Sequence, residues 1–330
     1  MKLSADFRVY LVLVALLLAL PALGAYPVFV MKVLCFALFA CAFNLLIGFT
    51  GLLSFGHAAF FGGAAYFAGH ALKVWGLPTL GGLAVGLVAG GVLGLAMGYL
   101  AIRRSGIYFS MITLALAQML YFFFLQAPFT GGEDGLQSVP RGSVLGVDLA
   151  SDLALYYFVV VIFVLAFLAI YRIVHSPFGQ VLKAIRENEP RATSLGYSTT
   201  RFKLLAFVLS AALAGLAGAT KTLVLGFATL TDAHWSTSGL VILMVLVGGM
   251  GTMLGPIVGA VVIVALENKV GDIGTWLARI TGIEWLQGLG ESVTVVTGLI
   301  FVVCVLSFRR GIVGEALALW QRRRPPARAG

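Results

Sequence analysis

Residues 175–203 read HSPFGQVLKAIRENEPRATSLGYSTTRFK, the longest polar, helix-capable segment of the chain. Apolar runs long enough to cross a bilayer flank it on both sides. Within it Lys183, Arg186, Arg191, Arg201 and Lys203 outnumber Glu187 and Glu189, and short loops rich in Lys and Arg stay on the cytoplasmic side of a membrane. The grammar of the segment is helix, short helix, helix. Ser176 is placed to cap a helix that opens at Pro177, where the missing N–H of proline costs nothing. Pro190 restarts a second, short helix, because the residue before a proline is pushed out of helical geometry. Gly196 ends that helix in the left-handed conformation common at C′. Ser198 or Thr199 then caps a third helix that enters the membrane. Pro190–Leu195 is thus expected to form a docking knob, with Ala192 and Leu195 filling a partner's groove and Glu189 and Arg191 around the rim. The plain alternative is a solvated loop that only sets topology.

Composition agrees with a membrane setting. Hydrophobic residues make up 60% of the 330, charged residues 11%, and 41 are glycine, which excludes an ordinary soluble domain. The net charge of +9 does not imply nucleic acid. The charges sit in loops between apolar runs, so the partner they imply is anionic membrane lipid. Cys35, Cys41 and Cys304 lie inside apolar runs and read as small packing residues rather than a disulfide or metal set.

Apolar runs give about ten crossings: Val9–Ala25, Val28–Ile47, Phe55–Val74, Leu80–Ile102, Ile107–Ala127, Leu153–Val174, Leu204–Leu225, Thr237–Gly249, Thr252–Leu266 and Val293–Phe308. The two around Gly251 are shorter than the ~20 residues of a full span, so they form either two spans or a re-entrant hairpin. With both termini cytoplasmic, sixteen of the 22 basic residues fall inside and four outside, as the positive-inside bias requires. Lys32 and Lys221 fall near the outer ends of spans, in reach of the interface by snorkelling. The fold class is therefore an all-α polytopic integral membrane protein. Residues 1–330 form one transmembrane domain with a cytoplasmic loop at 175–203 and a disordered basic tail at 315–330.

Outside, Pro128–Asp152 carries Thr130-Gly131-Gly132-Glu133-Asp134-Gly135, which predicts tight turns. Glu267–Glu291, with Trp276 and Trp285, suits a short helix at the interface. Gly82, Gly86, Gly90, Gly94 and Gly98 recur at every fourth position, and Ser210, Ala214 and Gly218 repeat the device beside Ala211, Gly215 and Ala219. In lipid such small residues let helices approach closely. At NLLIGFTGLLSFGHAAFFGGAAY, residues 44–66, Gly48, Gly51 and Gly56 break a helix at membrane depth, where irregular backbone needs cover from protein or a water-filled cavity. Asn44, Ser54 and His57, with Gln118, are candidate pathway residues; hydrogen bonding between neighbouring helices is the alternative role.

Several of these stretches together resemble one family. Ala184–Glu189, Ala192, Gly196 and Lys203–Ala211 resemble the coupling loop of bacterial ABC-transporter permeases, in particular the M-type permease of branched-chain amino-acid importers. Of the Glu-Ala-Ala-x3-Gly pattern of related importers, Ala192 and Gly196 match, and Pro190 stands at the Glu position. Ser54–Gly62, Gly248–Pro256 and Ser307–Gly314 resemble other motifs of that family. The resemblance implies a permease subunit paired with a second, related permease, two cytoplasmic ATPase subunits and an extracytoplasmic substrate-binding protein, in a bacterial inner membrane. It implies that Arg186, Glu187, Glu189, Arg191, Ala192, Leu195 and Gly196 form the ATPase-coupling surface. ATP and Mg would belong to the partner ATPases, with no cofactor or metal on this chain.

The sequence contains no Gly-Lys pair and hence no P-loop, and no H-E-x-x-H or G-x-S-x-G either. The expected activity is thus transport rather than catalysis. The substrates expected are leucine, isoleucine and valine, with urea, short amides or sugars as alternatives. A secondary transporter is the other alternative. It would need carboxylates buried near mid-membrane, whereas the acidic residues here read mostly as loop or span-end positions.

Overall fold

Lipid offers a backbone no hydrogen-bond partners, so charge-free apolar runs become helices. A computed structural model of the chain describes residues 5–144, 146–281, 298, 299, 302 and 310–323. In order these form α1 (Ala5–Ala19), α2 (Pro27–Thr50), α3 (His57–Lys73), α4 (Thr79–Ala101), α5 (Ile107–Gln126), β1 (Ser143–Val144), β2 (Val147–Asp148) and α6 (Asp152–His175). Then come α7 (Pro177–Glu187), α8 (Glu189–Ser194), α9 (Thr199–Leu225), α10 (Leu230–Ala233), α11 (Trp235–Gly248), α12 (Gly255–Thr281) and α13 (Gly311–Arg323). Among the described residues α2, α4, α5, α6 and α9 are long and apolar enough to cross a membrane. The chain is a polytopic α-helical membrane protein.

Helix α9 is the shaft of the bundle. One edge, Ala211, Gly215 and Ala219, lies against the glycine stripe of α4. A Cβ on Gly90 would come within 2.5 Å of the Ala211 carbonyl oxygen, and one on Gly86 within 2.4 Å of the Ala219 Cβ. The next edge faces α3 and α2: a Cβ on Gly218 would meet the Phe61 carbonyl at 1.9 Å, and the Ser210 hydroxyl donates to the Ala42 carbonyl at 2.6 Å. The expected small-residue packing is therefore observed, and it encloses α9 on two sides.

The expected runs map onto helices with informative shifts. Helix α1 ends at Ala19 rather than Ala25, two residues before Pro21, which cannot sit in a helix interior. The short runs around Gly251 form α11 and α12, packed through glycines: a Cβ on Gly248 would lie 1.8 Å from the Gly255 carbonyl oxygen. At 14 residues, α11 is about 21 Å long. Helix α12 has 27 residues and continues past Leu266 to Thr281, so the expected separate interfacial helix at 267–291 does not exist as far as Thr281. The remainder of that loop, including Trp285, lies outside the described residues, as does nearly all of the span expected at Val293–Phe308. The disordered tail expected at 315–330 is also corrected. Helix α13 occupies it as far as Arg323, because Glu315, Ala316, Leu317, Ala318 and Leu319 are strong helix formers; residues 324–330 lie outside the described set.

Opposite the α7–α8 end, the turns expected at 128–152 are present. Two 3₁₀ turns, Pro128–Thr130 and Gly132–Asp134, precede the β1–β2 hairpin. Leu136 and Ala228 exchange backbone hydrogen bonds at 2.9 Å. Arg141 pairs with Asp152 at 2.8 Å and also donates to the Val224 carbonyl. This loop is thus buttoned onto the segment that follows α9.

The glycine contacts yield a test. Gly90→Leu should destabilise the detergent-solubilised chain by on the order of 1–3 kcal/mol through overpacking, seen as a lowered Tm. Gly91→Ala, whose Cβ would meet its nearest neighbour at an ordinary 3.5 Å, should leave Tm unchanged.

Candidate functional site

The polar loop folds much as its grammar predicts. The Ser176 hydroxyl accepts from the Gly179 N–H at 3.3 Å, and α7 turns Gly179, Leu182 and Ile185 onto the bundle. Helix α8 begins at Glu189, one residue before Pro190, because Asn188 caps it: its Oδ1 accepts from the Arg191 N–H at 3.0 Å. Gly196 sits at φ +89°, left-handed as expected. Ser198 occupies the N-cap position of α9 but makes no side-chain capping bond.

The surface of the knob differs from expectation in three places. Ala192 is 2% exposed and faces its own bundle rather than a partner, whereas Leu195 is 70% exposed and free to dock. Within α8 only Ala192 is buried; Pro190, Arg191, Thr193 and Ser194 are exposed, as is Leu195 just beyond its end. Glu189 is engaged by Lys203 of α9 instead of standing on the rim. Arg186 is exposed as well, yet its guanidinium is tied down, donating to the Gly48 carbonyl near the end of α2. Glu187 and Arg191 are exposed, consistent with a rim.

Arg186 belongs to a knot that joins the loop to the bundle. A Cβ on Gly251, in the turn between α11 and α12, would lie 3.0 Å from its Nη1. The Asn44 amide spans the same turn, donating to the Thr252 carbonyl and accepting from the Gly251 N–H, both at 2.9 Å. Lys183 lies over the Phe49 ring at 5.8 Å. Helices α2, α7 and the α11–α12 turn therefore meet at one place. The start of α13 joins them, since a Cβ on Gly311 would lie 2.4 Å from the Gly249 Cα.

The other pathway candidates are scattered through the interior. Ser54 is fully buried and accepts from the Gly56 N–H at 3.1 Å, within the break before α3. The Ser210 hydroxyl, having donated to Ala42, accepts from His57 Nε2 at 2.8 Å. Phe43, Phe60 and Phe207 present edges or faces to the His57 ring. His57 Nδ1 and Gln118 Oε1 are buried without a hydrogen-bond partner among the described residues. Asn44 and His57 thus each link two elements of this chain, and Ser54 closes the break before α3.

One polar pair is absent from the sequence reading. Lys221, expected to snorkel outward, is 7% exposed and ion-paired with Asp232, which is 6% exposed. Thr229 also donates to Asp232, at 3.2 Å. The Lys221 ammonium lies 5.9 and 5.8 Å from the Phe36 and Phe61 ring centres. Asp232 reads as a loop residue because it follows the end of a span. Its burial comes from α10 folding back against α3, where a Cβ on Gly62 would touch the Ala233 backbone.

A polytopic helical membrane protein whose structured polar loop is knotted to the ends of its spans is the class that this architecture defines. The family model described as "Branched-chain amino acid transport system / permease component" matches residues 28–306, and the chain belongs to that family. It is 27% identical over 237 residues to the high-affinity branched-chain amino acid transport system permease protein LivM of Salmonella typhimurium, covering 64% of this chain and 55% of the relative. It is 27% identical over 213 residues to the protein of the same name from Escherichia coli, covering 57% and 50%. The chain thus spans about half the length of the curated relatives it matches. No solved structure matches.

Removing one partner of a buried ion pair leaves an uncompensated charge, at a cost of about 3 kcal/mol or more. Asp232→Asn should therefore lower Tm sharply. The double variant Lys221→Met with Asp232→Leu should recover most of the loss. A thermal-melt double-mutant cycle in detergent measures the coupling.

Proposed function

We propose that this chain is the transmembrane permease subunit of an ATP-driven importer for branched-chain amino acids in a bacterial inner membrane. In this reading about ten crossings place both termini and the α7–α8 end in the cytoplasm. A second, related permease pairs with it, two ATPase subunits seat on the loops, and an extracytoplasmic binding protein delivers substrate. ATP and Mg reside on the ATPases. The observation that carries the reading is the knot of Arg186, Gly48, Asn44 and Gly251. A loop that merely cleared the membrane would not need to be tied to two separate bundle elements, as this one is by Arg186 to Gly48 of α2 and by Glu189 to Lys203 of α9, whereas a force-transmitting loop does. The family match and the LivM relatives support the substrate class.

The mechanism is transmission. Closure of the ATPases on ATP displaces α8, which exposes Leu195 and Arg191 for docking. Arg186 carries the displacement to α2 and the α11–α12 turn, and the Glu189–Lys203 pair carries it to α9. The bundle then swings between inward-open and outward-open states in a hinge-type change. The expectation that Ala192 fills the partner's groove passes to Leu195.

Leu195→Glu should leave insertion intact and lower ATP-dependent leucine uptake at least about tenfold, the effect of losing one docking anchor. Gly196→Pro, incompatible with φ +89°, should uncouple ATP hydrolysis from uptake. Mild-detergent pull-down should recover a P-loop ATPase and a second permease. Recovery of the chain alone from membranes that yield intact complexes, with wild-type uptake in both variants, would overturn the importer reading. A wild-type complex that imports urea or a sugar but no amino acid would overturn the substrate class.

A further inference from the structure

A slot of about 210 Å³ lies between α1, α6 and the start of α12, where α6 approaches α7. Its floor is one face of α6. Phe163, Phe167 and Tyr171 recur there at every fourth position, with Val164, Leu168 and Arg172 in the next row. Leu13 and Val14 of α1, and Leu254 and Ile257 at the start of α12, supply the walls. Phe163, Phe167 and Ile257 are buried, whereas Leu168 is 50% exposed. The slot is thus closed on one side and open on another.

Every lining side chain except Tyr171 and Arg172 is pure hydrocarbon. Water is a poor occupant, because it needs several polar partners, and an apolar cavity of about 150 Å³ already stays dry and takes an apolar guest. A helix from a neighbouring subunit is also a poor fit. Phe163 and Arg172 lie nine residues apart, about 13 Å of helix, and a helix about 10 Å wide would occupy roughly 1,000 Å³ over that length. An extended acyl chain is slender enough.

The mouth is chemically different. Asp152 and Arg172 lie twenty residues apart on α6 with no charge between them, about 30 Å along the axis. That matches a hydrocarbon core of about 30 Å, so Arg172 stands where hydrocarbon gives way to head groups. Tyr171 beside it is of a type enriched at that boundary. Arg172 is exposed and makes no hydrogen bond or ion pair among the described residues. Any acyl chain can fill the slot, and the cation decides whose chain it is. A planar guanidinium matches phosphate oxygens. A zwitterionic phospholipid offsets its phosphate with its own ammonium, whereas an anionic one presents it uncompensated.

We propose that this slot binds one acyl chain of an anionic phospholipid, with Arg172 on the lipid's phosphate. The seated lipid touches α6, which runs through Ser176 into α7, and Leu254, two residues past the Thr252 carbonyl that Asn44 holds. It therefore packs beside the knot and joins α6 to the α11–α12 turn. The site is independent of which solute the protein carries.

Photocrosslinking tests this. The chain, with whatever subunits co-purify, is reconstituted in phosphatidylethanolamine vesicles holding a trace of phosphatidylglycerol with a photoactivatable acyl chain, and labelled peptides are mapped by mass spectrometry. Peptides containing 163–168 and 254–257 should be labelled. Excess unlabelled phosphatidylglycerol should compete the label away, and the same excess of phosphatidylcholine should not. Arg172→Gln should lower labelling there about fivefold, the scale of one basic side chain on an anionic lipid, and Arg172→Lys should restore part of it. Val164→Phe, which narrows the slot, should lower it at least about threefold. Leu165→Phe, on the same helix at a position 63% exposed and outside the slot, should leave it unchanged. Equal competition by both lipids would reduce the slot to ordinary bilayer contact and overturn the proposal, as would full labelling in both Arg172→Gln and Val164→Phe. Absence of label at both peptides would also overturn it. If either variant fails to assemble, lipid competition on the wild type decides.

Discussion

Close backbone contact along α9 is the constraint on which the rest of the structure depends. Between helices in lipid there is no hydrophobic drive, because the lipid tails are as apolar as the side chains. Cohesion then requires dispersion at short range, which small residues alone permit. Gly86, Gly90 and Gly94 of α4 bring its backbone onto Ala211, Gly215 and Ala219, and Gly218 brings α9 onto the Phe61 carbonyl. An enclosed α9 has few ways to bend. It can move as a rod or by changing its neighbours, which suits a part that carries displacement over its length.

What lies at the two ends of that rod matters for the same reason. At one end Lys203 holds Glu189 of the polar loop; at the other Lys221 holds Asp232 of α10. Eighteen residues separate the two lysines along α9, about 27 Å of helix. Each ion pair joins α9 to a short helix, α8 or α10, whose apolar contacts lie elsewhere, Ala192 on the bundle and Ala233 on α3. Both ion pairs thus attach a short helix to the long, enclosed one.

The long helices were legible because a charge-free run of about twenty residues has one stable fate in lipid. The runs of α2, α4, α5 and α6 end close to where their charges, prolines and glycines place them. The loop was legible through local chemistry: Ser176 and Pro177 start α7, and Gly196 closes α8. The misses share a cause, since each depends on a partner far away in sequence. Ala192 is buried because α8 leans on its own bundle, and nothing in a six-residue pattern distinguishes that face from the outward one. Asp232 sits just after a span and reads as a loop residue; only the return of α10 against Gly62 puts it inside. Arg186 reads as a solvated cation until the Gly48 carbonyl, 138 positions away, comes into reach. The tail differs for another reason: its Arg-Pro end reads as disorder, while the helix formers from Glu315 to Leu319 carry α13 as far as Arg323.

Helix α11 runs from the knot to α10. Its far end abuts the turn that Asn44 and Arg186 hold, and its first turn follows α10 directly. At about 21 Å, α11 is short enough that both ends act within the membrane thickness. A displacement of the Gly249–Gly251 turn therefore arrives at Trp235–Thr237 with little intervening structure to absorb it. Helix α3 constrains the same element, since the Ala58 N–H donates to the Ser238 hydroxyl at 2.8 Å. Helix α11 is thus held near its start by α3 and at its end by the knot. The glycine-lined contact with α12, where a Cβ on Gly248 or Gly259 would lie 1.8 Å from the opposing carbonyl oxygen, fixes α11 along its length by the same close approach that encloses α9.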